Sequence, residues 1–489
     1  MKKFDIPKEV SAVVETLNKA NFEAYLVGGC VRDLILGKEP KDWDVTTNAT
    51  PEQIQNIFEH TFYENTFGTV GVVNDDTEDP KLKTVEVTPY RLESEYSDSR
   101  RPDSVKFSDK LEDDLKRRDF TMNAIAYSPE KKELIDLYDG QKDIKEKIIR
   151  TVGKAEERFG EDALRILRAV RFQAELGFEI EKETKNAIQK TAETLQKISA
   201  ERIRDEFVKI VMSKNPMKGV ESAYDLKIFK YIIPELEEGI GSDQKGAHIY
   251  TIWEHNLRAL QHSADREWPL HVRLAALLHD VGKPATKRFD KIKKENTFYG
   301  HEVVGARMTE KILKRLKFPN EIVEVVTKLV RNHLFFSDVE KITLSAVRRI
   351  IKNVGPESVW DLMSVRSCDR IGMGRPVEAP YRLRKYHSMI EEAMKDPVSV
   401  GMLKINGNDI MKNLGEKPGP KIGFTLHALL EEVLDDPKLN TTEYLEKRAR
   451  ELLKLPENEL RKLGEAGKEK KEDEEAKEVG EIRKKFGVK

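Results

Sequence analysis

The rhythm of apolar positions changes near residue 150. Before it, apolar runs are short and broken by polar residues or glycine. After it, they recur every three or four positions over long stretches, the period of amphipathic helices. In the first part Ala24-Tyr-Leu-Val27 predicts a buried strand, followed by Gly28-Gly29 and an amphipathic helix from about Val31. Asp42-Trp-Asp-Val-Thr46 predicts a second strand, and Val70-Gly-Val-Val73 and Thr84-Val-Glu-Val-Thr88 two more. Thr50-Pro51-Glu52 reads as a helix start, because the fixed φ of proline suits the first helical position. The polar, arginine-bearing stretch from Glu93 to Ser104 reads as a mobile loop.

The pattern divides the chain into an α/β head over residues 1–150, followed by all-α segments: a neck over 151–240, a helical domain over 241–395 and a helical tail over 396–455. Residues 456–489 are Lys/Glu-rich with few large apolar side chains, which reads as a solvated helix or a disordered tail.

Composition narrows the classes. A chain of 489 residues has room for several cores. Its 86 basic and 87 acidic residues leave a net charge of −1, so bulk charge does not announce a nucleic-acid partner, and any such contact must use local surfaces. No apolar run approaches the ~18 residues that would predict a membrane span. The start MKKFDIPKEV lacks the apolar core of a secretory signal. Cys30 and Cys368 give neither a disulfide nor a zinc spacing, which fits a reducing cytoplasm.

Candidate chemistry begins at the strand, Gly28-Gly29 and helix sequence. Glycines let the backbone approach a ligand, and free N–H groups at a helix start, with Arg32 one turn in, suit phosphate. Asp42 and Asp44 follow at strand spacing, which puts both carboxylates on one face. Like charges held side by side call for a cation, and Mg²⁺ between carboxylates is what nucleotidyl transfer uses. Glu86, on the strand 84–88, is the candidate third carboxylate; an exposed strand-face residue is the competing reading.

YLVGGCVRDLILG, KDWDV and LKRRDFTMNAIAY (115–127) together resemble the head of class II tRNA nucleotidyltransferases, the CCA-adding enzymes and bacterial poly(A) polymerases of the polymerase-β superfamily. The resemblance continues through LYDGQKD (137–143) and the helix EDALRILRAVR (161–171). It implies a polymerase-β-like head that adds nucleotides to RNA 3′ ends without a template. Gly28, Gly29, Arg32 and Arg118 would hold the triphosphate, Asp162 and Arg165 would hydrogen-bond the edge of C or A, and Arg168 and Arg171 would help hold the nucleotide. SAERIRDE (199–206) resembles a segment that buttresses this helix. The implied partners are the tRNA 3′ end, CTP and ATP, with Mg²⁺ on Asp42 and Asp44.

In the helical half, His255, His279-Asp280 and Asp369 follow the order H…HD…D and resemble the HD phosphohydrolase superfamily. Imidazoles and carboxylates are ligands for a divalent metal that activates water against a phosphate ester. His301 and His333 extend the set toward two metals, and Lys283 suits a phosphate. Residues 403–430 resemble the tail that follows such a domain; glycines 407, 415, 419 and 423 offer backbone N–H groups to an RNA phosphate, and Arg348, Arg349, Arg382, Arg384 and Lys385 offer charge. The leading reading is CCA addition to tRNA with a further metal-dependent hydrolytic centre. CC-only, A-only and poly(A) addition stay open beside it. So does an HD phosphohydrolase with a non-catalytic RNA-binding head.

Overall fold

A computed structural model describes residues 4–63, 68–92, 106–244, 249–292, 294–335, 342–394 and 400–463. The chain forms two compact units, Met1–Pro234 and Glu235–Lys489. The predicted loop at Glu93–Ser104 lies outside the described residues, as does 464–489 of the charged terminus.

The first unit begins with the helix Lys8–Lys19, whose Val10, Val13, Val14 and Leu17 are buried. Among the described residues the head then holds β1 (Ala24–Val27), β2 (Asp44–Thr47), β3 (Thr61–Tyr63), β4 (Val70–Val73), β5 (Thr84–Pro89), β6 (Arg91–Leu92), β7 (Lys106–Phe107), β8 (Ile125–Ser128) and β9 (Glu133–Asp136). Seven build one sheet in the order β3-β4-β5-β2-β1-β8-β9, and β6 pairs with β7 apart from it. Only the β2–β5 pairing in that sheet is parallel, and it sets Asp44 opposite Glu86. Along β5 burial alternates, with Val85, Val87 and Pro89 inside and Thr84, Glu86 and Thr88 on the half-open face. This alternation of apolar and polar positions is what fixes the register, because a one-residue slip would bury Glu86.

Two local expectations change. The helix after β1 is Gly29–Ile35, beginning at the second glycine and not at Val31. Strand β2 begins at Asp44, so Asp42 sits in an exposed bend ahead of it, and strand alternation does not govern the pair.

Past the head the unit is helical. The helix predicted over 161–171 is instead two: Ala155–Glu161, then Leu164–Leu176, with Asp162 at the break in an extended conformation. Asp162 accepts the Leu164 amide at 3.0 Å, and this side-chain bond to the backbone competes with helix continuation. The second helix buries one face from Leu164 to Ala174 and ends at Gly177 in the left-handed region. It packs on Ala200–Val211 and Pro216–Asp225.

In the second unit, the helices Ile252–Asp265, Leu270–Leu278, His301–Arg315, Asn320–Asn332 and Val359–Gly372 pack around a common core. A further apolar cluster under Leu403–Leu460 holds Ile410, Leu429, Val433 and Leu445. Leu460 belongs to that core, so the charged terminus starts inside a packed element. No helix among the described residues is long and apolar enough to cross a membrane.

Candidate functional site

The head site forms where β1 ends. Gly28 adopts φ +82, and a Cβ there would lie 3.1 Å from an Arg118 guanidinium nitrogen and 3.4 Å from the Asp44 carboxylate. Glycine is required here twice, by the positive φ and by the two side chains that reach the same point. Gly28, Asp44 and Arg118 therefore meet, and the strand register adds Glu86 beside Asp44. Asp42 stands exposed next to them in sequence.

Buried carboxylates hold the arginines of this region in place. Asp114 accepts from Arg118 at 2.9 Å and from Arg117. Burial would raise the Asp114 carboxyl, but the two guanidinium charges and their hydrogen bonds outweigh it and hold it at about 2. Asp119, also buried, pairs with Arg168 at 2.6 Å and accepts from Asn123 at 3.1 Å. Burial pushes its carboxyl up, and Arg168, Asn123 and Arg165 bring it down to about 2. Asn123 in turn accepts from Arg32 at 2.9 Å. One continuous chain of bonds thus joins Arg32 to Arg168. The ring of Phe172 lies among Arg32, Arg168 and Arg171, whose guanidinium carbons are 5.3, 5.4 and 4.3 Å from its centroid. Arg171 also pairs with the buried Glu206 at 2.9 Å.

Asp162 and Arg165 are each engaged elsewhere. Asp162 pairs with Arg202 at 2.7 Å, whereas Arg165 pairs with Glu161 at 2.6 Å and donates to the Arg117 carbonyl at 2.8 Å. The segment 199–206 thus supplies partners to both Asp162 and Arg171, through Arg202 and Glu206. Sequence reading missed Asp114, Asp119, Asn123, Phe172 and Arg202 as site residues. Asp119 and Asn123 lay within the quoted RRDFTMN string, and that string was the available signal.

The second unit brings the predicted ligands together. His255, His279 and Asp369 form one buried group, and Asp280, His301 and His333 another, each with ligand atoms within 4.8 Å of one another. These are the two such groups among the described residues; the head carboxylates are not among them. Asp280 touches both sets: Oδ2 lies 3.1 Å from His255 Nε2 and 3.3 Å from His279 Nε2, and Oδ1 lies 3.2 Å from His301 Nε2 and 3.7 Å from His333 Nε2.

The Nδ1 atoms of His279, His301 and His333 face the carbonyls of Ala276, Phe298 and Val330 at 2.9, 2.7 and 2.6 Å. A proton on each Nδ1 satisfies those bonds and leaves each Nε2 lone pair aimed at the carboxylate, which is the ligating tautomer. Burial would drive the His255 imidazole toward neutrality, yet Asp280 and Asp369 raise it to about 9. Lys283 reaches Asp280 at 2.5 Å and Gln244 at 2.5 Å. Gly282 makes the approach possible: a Cβ there would fall 2.3 Å from the His301 carbonyl. Arg348, in the helix Leu344–Val354, is buried and donates to the Leu434 carbonyl at 2.9 Å, so its predicted phosphate contact gives way to a structural bond.

Four stretches match known families: Poly A polymerase head domain over 24–150, Probable RNA and SrmB- binding site of polymerase A over 177–240, HD domain over 252–357, and tRNA nucleotidyltransferase domain 2 putative over 384–449. Asp369 falls beyond the third match. A CCA-adding enzyme of Ligilactobacillus salivarius is 33% identical over 449 residues, covering 91% of this chain and 96% of that protein. One of Limosilactobacillus fermentum is 34% identical over 90% of this chain and 96% of its own.

The chain belongs to the CCA-adding enzymes.

It is a nucleotidyltransferase of that family, a class of enzyme that needs a divalent metal. Among solved structures it resembles the Bacillus stearothermophilus CCA-adding enzyme in complex with CTP, at TM-score 0.67 and 28% identity over 91% of this chain and 99% of that one. The Thermotoga maritima CCA-adding enzyme complexed with tRNA shares the fold, at TM-score 0.52 and 20% identity over 92% of this chain and all of that one. The expected α/β head followed by helical segments is the observed architecture.

Proposed function

We propose that the head of this CCA-adding enzyme uses Asp42, Asp44 and Glu86 to hold Mg²⁺ and transfers C and A from CTP and ATP to tRNA 3′ ends. The observation that carries the reading is the meeting of Asp44 and Arg118 at Gly28, with Glu86 opposite Asp44 on the neighbouring strand. Two carboxylates on neighbouring parallel strands fit a hard cation that takes oxygen ligands. When bound, Mg²⁺ neutralises charge between the RNA 3′-hydroxyl and the triphosphate. The hydroxyl oxygen loses its proton to solvent and bonds to the α-phosphorus, the bond from that phosphorus to the β-phosphate oxygen breaks, and pyrophosphate leaves. Gly28 and Gly29 leave room for the triphosphate, and Arg32 and Arg118 orient it.

Asp162 and Arg165 choose the base. C and A share an amino donor beside a ring-nitrogen acceptor, which a carboxylate and a guanidinium match, whereas U and G reverse that pattern. Selection requires Asp162 to leave Arg202 and Arg165 to leave Glu161, with Arg168 and Arg171 steadying the nucleotide. The test offers each NTP separately to tRNAs ending before the first C, after the second C and after the final A. Stepwise C, C, A incorporation is expected; addition of one base only would reject the full CCA reading.

The HD cluster supports a second activity. We propose that His255, His279, Asp280 and Asp369, with His301 and His333, hold divalent cations and that this centre hydrolyses phosphoesters such as 2′,3′-cyclic phosphates. The three backbone-anchored imidazoles around Asp280 carry this reading. Bound cations would supply an activated water. Lys283 sits where it can take a phosphate oxygen. Metal-dependent hydrolysis that His279→Ala abolishes is the expected result, and activity indifferent to both metal and variant would refute it.

A further inference from the structure

Between Lys283 and His301 the chain leaves the core of the second unit and returns. The helix Lys283–Thr286 leads into an antiparallel hairpin of Arg288–Asp290 and Glu295–Thr297, with Arg288 opposite Thr297 and Phe289 opposite Asn296. Neither strand supplies a ligand to the cluster. The hairpin exposes large apolar side chains instead: Phe289 is 63% exposed, Ile292 73% and Tyr299 39%. Around them Lys287, Arg288, Lys291 and Lys294 are all exposed. Of the two acidic residues within the hairpin, Asp290 is buried and Glu295 half-buried. Arg288, Lys291 and Lys294 form no ion pair among the described residues.

Water-exposed aromatic and aliphatic surface is unfavourable unless a partner covers it, and unpaired cations around it select a polyanion with flat apolar faces. Single-stranded nucleic acid has that chemistry: phosphates for the lysines and bases that stack on a ring. Both ends of the hairpin are rooted in the cluster. Lys283 touches Asp280, and His301 faces the other oxygen of the same carboxylate at 3.2 Å. Phe289 is six residues from Lys283, and an extended chain covers at most ~3.6 Å per residue, so the ring lies within about 20 Å of it.

We propose that the hairpin strands Arg288–Asp290 and Glu295–Thr297, with Lys287, Lys291 and Lys294 beside them, form a docking arm for single-stranded RNA that presents a phosphate-bearing RNA 3′ end to the HD cluster. The proposal rests on the phosphoesterase reading of that cluster and adds its substrate class: an oligonucleotide end, not a free mononucleotide.

The test uses the full chain and two substrates, a hexaribonucleotide ending in a 2′,3′-cyclic phosphate and the corresponding mononucleotide. Reversing three charges together (Lys287→Glu, Lys291→Glu, Lys294→Glu) is expected to raise KM for the hexanucleotide at least tenfold. It should also flatten the salt dependence of that KM, while mononucleotide hydrolysis and nucleotide addition stay unchanged. Phe289→Ala is expected to raise the same KM about tenfold through lost stacking. Equal effects on both substrates, or none on either, would overturn the docking arm. So would a change of oligomeric state by light scattering with the hexanucleotide KM intact, since a second copy would then be the occupant. If the wild-type chain hydrolyses neither substrate, the phosphoesterase reading fails separately. The arm is then judged by photocrosslinking the hexanucleotide through a terminal 4-thiouridine: label on residues 287–299 that the triple variant loses supports it, and label confined to other segments overturns it.

Discussion

The two chemical centres of this chain are built in opposite ways. In the head, the metal-binding candidates are spread over a bend and two strands, with Asp42 exposed, and the surrounding arginines are parked on carboxylates and carbonyls. In the HD cluster, five helices and the turns that end two of them bring six candidate ligands into one buried set. The contrast follows from what each has to admit. Nucleotidyl transfer must accept a triphosphate and an RNA end and then change the base it reads, so its polar groups need exchangeable partners. A hydrolytic metal site needs a fixed ligand geometry, and burial with backbone anchors supplies it. An open site spends its substrates' binding on order, whereas a closed one has the order already.

The sharpest way to break this comparison is to separate the centres by mutation. Asp44→Ala should lower nucleotide incorporation by on the order of 10³-fold, measured with labelled CTP and ATP, and leave metal-dependent phosphoesterase activity unchanged. A parallel fall in both activities would mean that the centres are not independent.

Next comes the metal load. Asp280→Ala, which removes the carboxylate shared by both ligand groups, should lower affinity for divalent cations more than tenfold, read as metal content by mass spectrometry. His333→Ala should weaken one cation and spare the other. Equal losses in the two variants would contradict the shared role of Asp280.

A smaller effect is expected at Phe172, whose ring lies among Arg32, Arg168 and Arg171 of the proposed nucleotide site. Phe172→Ala should raise KM for CTP and ATP roughly tenfold, with Phe172→Tyr close to wild type. An effect on kcat alone would place the ring in a different role.

The mildest test is acid. Asp114 and Asp119 are held at about 2, below their ordinary value of 3.8. A depressed carboxylate stabilises the fold fully above its unfolded pKa and loses that contribution as pH falls toward the folded one. The first unit should therefore weaken between pH 3.8 and 2, followed by hydrogen exchange in Leu164–Leu176. Asp119→Asn should make that loss shallower, and an unchanged profile would remove Asp119 from the account.

The sequence by itself determined the change of pattern near residue 150, four of the head strands and the order of the chemical groups, since these depend on local periodicity and on short strings such as GGCVRD, RRDF and HDVGK. It also named the imidazoles and carboxylates that the second unit gathers into two buried groups, because the order H…HD…D is carried by residue type along the chain. Only the tertiary structure decided how these groups meet. The parallel pairing that sets Glu86 opposite Asp44 joins residues 42 positions apart, and no local period encodes it. The break at Asp162 arose from a side-chain bond that outcompeted a helical pattern legible as continuous. The anchoring of Arg168 by Asp119 and of Asp162 by Arg202 likewise depends on which helices pack together. Residue type is set by the chain locally, whereas the partner of a charged or ligating atom is set by packing, and in both centres the partner decides what the residue can do.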